Sequence, residues 1–291
     1  MIQTFFDGLM IGGVYAIIAL GLTLIFGVMR VINMAHGEFV MIGMFISYFL
    51  FQTAGFDPFV SIFITAPVCY LIGYYLYKFF VEKVREGGEE NTLLLTAGAS
   101  ILLVNVAALP LFVGPNFLRL TGSGLYWQNR IWHIFGITFN ASLLVGFFVT
   151  IILIFLLNLL LRRTDLGLAM RAAAQNPQAA QIVGINVSVI SGITFGLGAV
   201  FAGVAGGVLS TTYPIYAAIG PLFLVKAFII VVLGGMGSIP GAAIGGLVLG
   251  LVESFGATYI DGGTAYRDVF GLVLFLIVLL YRPQGLFGKG A

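Results

Sequence analysis

Charge is what this sequence has least of. Of its 291 residues only 8% are Asp, Glu, Lys or Arg, against about 25% in soluble globular chains, and that excludes a soluble fold. Disorder is excluded as well, because disordered chains are poor in apolar residues and rich in charge, whereas this one is 60% hydrophobic. The one cysteine, Cys69, lies inside an apolar run, so no intrachain disulfide can form and redox chemistry is not expected. No basic stretch precedes the first apolar run. Met1-Ile-Gln-Thr-Phe-Phe-Asp7 is unlike the n-region of a secretory signal peptide, and the run is expected to be retained as a membrane helix. The sequence has no Gly-x-x-x-x-Gly-Lys-Ser/Thr phosphate loop; Gly288-Lys289-Gly290 lacks both the upstream glycine and the hydroxyl residue. ATP hydrolysis by this chain is therefore not expected, and without a His-Glu-x-x-His motif neither is a catalytic metal. A net charge of +2 is too small to argue for nucleic acid.

What is abundant is apolar surface and glycine, of which there are 40. A mean hydropathy of +1.11 spread over the length indicates an all-α, polytopic membrane bundle, read as one membrane domain over residues 1–291. Eight or nine helices of about 20 residues would leave only short loops. Apolar stretches fall near 8–29, 38–54, 58–77, 92–114, 139–161, 188–212, 222–236, 241–258 and 266–281. By alternation Arg30, Lys78, Lys83, Arg85, Arg162, Arg163, Arg171, Arg282 and Lys289 share one side, and Arg119, Arg130 and Arg267 the other. The positive-inside rule then puts the N-terminus outside and the C-terminus in the cytoplasm. Trp127 and Trp132 in the long outer loop fit an interfacial belt.

Two joints do not read as ordinary helix: Arg30-Val-Ile-Asn33-Met-Ala-His36-Gly-Glu38, and Gly234-Gly235-Met-Gly237-Ser-Ile-Pro-Gly241. Each joins two spans that are either complete or re-entrant, and the short 222–236 span favours a broken element. Asn33, His36, Glu38, Gly234, Gly235 and Gly237 are candidate pathway or gate residues. Lys226 and Glu253 join them. Each lies about 6–8 Å below the outer boundary at 1.5 Å per residue, a depth at which a charge must pair, snorkel or face water. They are expected to pair across the hairpin or to share an aqueous cavity. The glycines of 192–207 and 241–250 are the small residues that let membrane helices approach.

The loop 162–187 carries the strongest local signals. Thr164 or Asp165 can cap a helix through Met170 that ends near Asn176, because the residue before proline leaves the α region. Asn176 then caps a second helix with Pro177 at its first position, and Gly184 supplies a left-handed exit. Ala179, Ala180, Ile182 and Val183 give it a small apolar surface. A helix of about seven residues is unstable alone and must pack against the bundle or a partner.

Gln178-Ala-Ala-x-x-x-Gly184 resembles the Glu-Ala-Ala-x-x-x-Gly signature of ABC importer permeases, with glutamine at the acidic position. Gly12-Gly-Val-Tyr-Ala-Ile-Ile-Ala-Leu-Gly21, Asn33-Met-Ala-His-Gly-Glu38, Met170-Arg-Ala-Ala-Ala-Gln-Asn-Pro177, and Lys226-Ala-Phe with Gly234-Gly-Met-Gly-Ser together are similar to LivH-type branched-chain amino-acid permeases. That resemblance covers nearly the whole chain. It implies a permease subunit of an importer in the bacterial inner membrane, with no cofactor on this chain and ATP on partner subunits. It also implies a second related permease in a heterodimer, two ATPase subunits and a periplasmic amino-acid-binding protein. Arg171, Asn176, Pro177, Gln178, Ala179, Ala180 and Gly184 become the ATPase-coupling candidates. The alternatives are an ion-coupled secondary transporter built on Lys226 and Glu253, or a channel for small polar solutes in which Asn33-Met-Ala mimics an Asn-Pro-Ala repeat that is not present. A membrane enzyme using His36 and Glu38 is a third class; His133 falls in the outer loop.

Overall fold

The computed structural model describes residues 1–85, 87–110, 117–121, 125–127, 130–134, 136–282 and 284–287. Helix α1, Ile2–Met29, is the central element; its residues from Met10 to Ile25 are all buried. It is followed by α2, His36–Ala54, and α3, Pro58–Leu76, which the Asp57 side chain caps. A π-helical turn, Tyr77–Val81, carries α3 into the short α4, Glu82–Arg85. Next come α5, Glu89–Ala107, and a two-stranded hairpin, β1 Ile131–Ile134 and β2 Ile137–Asn140. Asn140 caps α6, Ala141–Arg163, and Thr164 caps α7, Asp165–Gln175. The rest is α8, Pro177–Ile182; α9, Val187–Leu209; α10, Gly220–Gly234; α11, Ile239–Tyr259; and α12, Arg267–Tyr281. Among the described residues eight helical stretches are long and apolar enough to cross a membrane, so the chain is a multi-pass, all-α membrane protein.

Glycine sets the packing. A Cβ on Gly12 would come within 2.7 Å of the Gly246 carbonyl, and one on Gly246 within 2.6 Å of Ala16, so α1 and α11 pack nearly backbone to backbone. In α9, Gly198 faces Ile25 of α1, Gly203 faces Cys69 of α3, and Gly206 faces the Val40 carbonyl of α2. Close approach through small residues is how membrane helices gain contact where lipid offers no hydrophobic drive.

The loops sort to two ends as the alternation predicts. Arg30, Glu89 and Asn176 line one cleft, and Arg30, Ala174, Gly237 and Gln284 another. At the opposite end the Gln3 side chain donates to the Thr138 carbonyl at 2.6 Å, and Leu118 bridges Ile215. The loop between α5 and α6 holds the unforeseen hairpin, with Trp132 opposite Phe139 and the Trp127 and Trp132 rings edge to face at 6.0 Å. The span expected at 92–114 ends as helix at Ala107; 111–116 and Lys289 lie outside the described residues.

The two irregular joints differ. Residues 30–35 re-enter the bundle. Arg30 turns back in the left-handed region at φ 55°, and the His36 ring then meets the Ile18 carbonyl at 2.9 Å. Ile18 precedes the last residue of α1 by eleven positions, about 16 Å of helix at 1.5 Å per residue, so α2 begins deep. Residues 234–241, by contrast, form a tight turn with Gly235 and Gly237 at φ 93° and 82°. What shortens α10 is its other end, where 210–219 runs as turns and a single 3-10 turn before Gly220.

Candidate functional site

The α7–α8 elbow follows its local sequence closely. Thr164 Oγ1 accepts from Gly167 N at 3.0 Å and Asn176 Oδ1 from Ala179 N at 3.0 Å, two caps that each satisfy an otherwise free helical N–H. Past Ile182, Ile185 N donates to Ala180 O and Gly184 N to Gln181 O, with Gly184 at φ 90°. This pair of bonds is the Schellman termination, which a left-handed residue allows. The apolar surface divides, however. Ala180 is buried against the bundle, whereas Ile182 and Val183 are 87% and 75% exposed. Arg171, Pro177, Gln178 and Ala179 are exposed too. A substitution at Ala180 therefore damages the elbow's seating on the bundle, and Ala179 is the position that reports docking alone.

At the hairpin end, Lys226 of α10 pairs with Glu253 of α11, both almost wholly buried. Lys226 Nζ also lies 2.6 Å from Asp268 of α12 and 4.8 Å from the centre of the Tyr15 ring. Glu253 Oε2 accepts from Tyr15 Oη at 3.1 Å, and that phenol meets Tyr213 at 2.8 Å. Arg267 Nε is 3.3 Å from Glu253 Oε2, yet its N–H is not aimed there and makes no hydrogen bond among the described residues. Two cations and two carboxylates thus balance at the meeting of four helices, the neutrality that charges at membrane depth require. A cavity of about 520 Å3 opens beside them.

The third cluster sits where α2 starts. Asn33 Oδ1 accepts from Ala35 N at 3.0 Å, and Thr96 Oγ1 accepts from Met34 N at 3.1 Å. Glu38 Oε1 accepts from Ser100 Oγ at 2.6 Å. Asn33 Nδ2, His36 Nδ1 and Glu38 Oε2 are buried with no hydrogen-bond partner among the described residues. A Cβ on Gly37 would fall on the Gly220 carbonyl, and one on Gly220 on the Glu38 carboxylate. The N-termini of α2 and α10 therefore meet at a buried carboxylate, and both helix dipoles favour its negative charge.

The sequence-derived candidates are thus distributed over separate places. Lys226 and Glu253 are joined, as expected. Asn33, His36 and Glu38 form their own cluster. Gly234, Gly235 and Gly237 belong to the turn at the basic end, where Leu286 N and Phe287 N donate to the carbonyls of Leu233 and Gly234. Sequence reasoning missed Tyr15, Tyr213, Arg267 and Asp268. His133 lies exposed on β1. Among the described residues no group of three or more His, Cys, Asp or Glu could hold a metal ion.

Residues 4–279 match the family described as branched-chain amino acid transport system permease component. A Pseudomonas aeruginosa high-affinity branched-chain amino acid transport system permease protein, BraD, is 35% identical over 99% of this chain and 96% of its own. The Escherichia coli permease protein LivH is 33% identical with the same coverage. A probable LivH of Methanocaldococcus jannaschii is 31% identical over 94% of this chain and 88% of its own. LivM of Salmonella typhimurium, 25% identical, shares 94% of this chain with 67% of its length. No solved structure matches.

Proposed function

The chain belongs to the branched-chain amino acid transport permease family, and from that membership we propose a permease subunit of an ABC importer that moves branched-chain amino acids into the cytoplasm. Its place is the bacterial inner membrane, with the hairpin end and N-terminus outside and the basic end and C-terminus in the cytoplasm. It pairs there with a second, related permease, two ATPase subunits and a periplasmic binding protein. ATP is bound by the ATPase subunits, and this chain is a non-enzymatic pore subunit with no cofactor of its own. Lys226–Glu253 and the Asn33–Glu38 segment flank the pathway.

The observation that carries the coupling role is α8. It is capped at both ends, seated through Ala180, and turns Ile182 and Val183 outward at the basic end. So short a helix is rigid only because its caps and seat hold it, and exposed apolar side chains on a rigid knob suit insertion into a groove of another protein. The test is uptake of labelled leucine by vesicles carrying the chain with and without its ATPase subunits and permease partner. Uptake should require ATP and the ATPase subunits, and persist when ionophores dissipate ion gradients. Gradient-driven uptake by the isolated chain would replace this reading with the secondary transporter.

A further inference from the structure

The charged network at the hairpin end has an inner and an outer half. Lys226 and Glu253 have side chains only 4% and 1% exposed, whereas Arg267 and Asp268 are 34% and 57% exposed and line the adjoining cavity. The cavity's volume, about 520 Å3, falls within the roughly 300–1,000 Å3 of small-molecule sites. Its wall is mixed: Ile11, Leu143 and Leu222 are apolar, and Arg267, Asp268, Tyr213 and Asp7, which accepts from the Gln3 side chain, are polar. Arg267 is partly exposed and lines the cavity, and guanidinium is the side chain best shaped to hold a carboxylate by two parallel bonds. Asp268 has Lys226 as its ion-pair partner, and Lys226 is already held by Glu253. Asp268 can therefore turn to another cation without stranding a buried charge.

We propose that this cavity is a receiving site for a zwitterionic α-amino acid with an aliphatic side chain. Arg267 takes the carboxylate, Asp268 takes the ammonium, and Ile11, Leu143 and Leu222 face the side chain. The buried Lys226–Glu253 pair stays closed beneath as the fixed floor. The proposal rests on the permease reading above and locates the substrate within it. Its physical basis is charge exchange: a zwitterion takes the place of Lys226 at Asp268 and meets the Arg267 guanidinium, so binding leaves the net charge of the site unchanged. An amino acid of net charge adds one unbalanced charge above the buried Lys226–Glu253 pair, and that is costly.

Equilibrium binding to the full-length chain in lipid nanodiscs tests this with L-leucine, leucinamide, which lacks the carboxylate, and 4-methylpentanoate, which lacks the ammonium. Wild-type protein should bind leucine at least about tenfold more tightly than either analogue, the effect of one lost charge-assisted bond. Arg267→Gln should erase the preference over leucinamide and keep that over 4-methylpentanoate; Asp268→Asn should do the reverse. Wild-type protein that binds all three alike, or binds no leucine, overturns the site without needing any variant, and so do variants that keep both preferences. If wild-type chain with its partners still imports leucine on ATP in those cases, the failure belongs to the site alone. Absence of ATP-driven uptake would strike the permease reading instead.

Discussion

At the scale of single residues, Lys226 is the most exacting. Removing one member of a buried ion pair strands the other and costs about 3–5 kcal/mol. Lys226→Met leaves Glu253 with Tyr15 and Arg267 nearby, so a loss near the lower end of that range is expected in denaturant titrations of the folded protein. Lys226→Met with Glu253→Leu should recover more than half of the summed losses; strict additivity would mean that the two do not act as a pair. This pairing was legible in the sequence, because depth follows from counting residues inward from the segment ends and lone charges at that depth need partners. Arg267 and Asp268 were not legible. At the start of an apolar run they read as ordinary flanking charges, and only the fold swings that end of α12 against α11. Tyr15 and Tyr213 were not legible either, because an aromatic ring in an apolar run carries no signal of the bond its hydroxyl makes.

Elements were legible where their determinants are local. Asn176, Pro177 and Gly184 specify α8 through contacts within a few residues, so the caps and the left-handed exit fell where expected. Which alanine faces the bundle depends on how the elbow docks, a tertiary matter, and Ala180 proved to be the inward one. Hence Ala180→Glu should reduce the yield of folded protein, whereas Ala179→Glu should leave the melting transition in detergent unchanged; equal loss of fold from both would contradict the docking described for α8. Gly184→Val should destabilise the elbow, because φ 90° is hostile to a β-branched residue. The shortness of α10 was also visible, but its cause lies at the Gly220 end, where helix gives way to the 3-10 turn and its start meets α2. Gly220→Ala drives a methyl group into the Glu38 carboxylate, and overpacking of that kind costs about 1–3 kcal/mol or more. A lowered midpoint of thermal unfolding, larger than that for Gly98→Ala in open space on α5, is the expected result.

For the whole molecule, apolar composition and span alternation made the class and the two-ended arrangement legible, since both follow from bilayer thickness and from backbone groups that need internal partners. Helix order around α1 was not, because glycine faces state that helices approach without naming which ones. Sidedness is checked by single cysteines. One at His133 should react with impermeant thiol reagents on intact cells, and one at Gln181 only after lysis; native Cys69 is buried and silent. The reverse pattern would invert the orientation and remove α8 from the ATPase side. The most direct measurement is co-purification of the ATPase subunits with Ala179→Glu protein, together with the ATP turnover they show in its presence. A folded, membrane-inserted permease that retains neither ATPase binding nor stimulated turnover is the predicted outcome. An Ala179→Glu chain that assembles with its ATPase subunits and drives turnover at the wild-type rate would contradict coupling through α8.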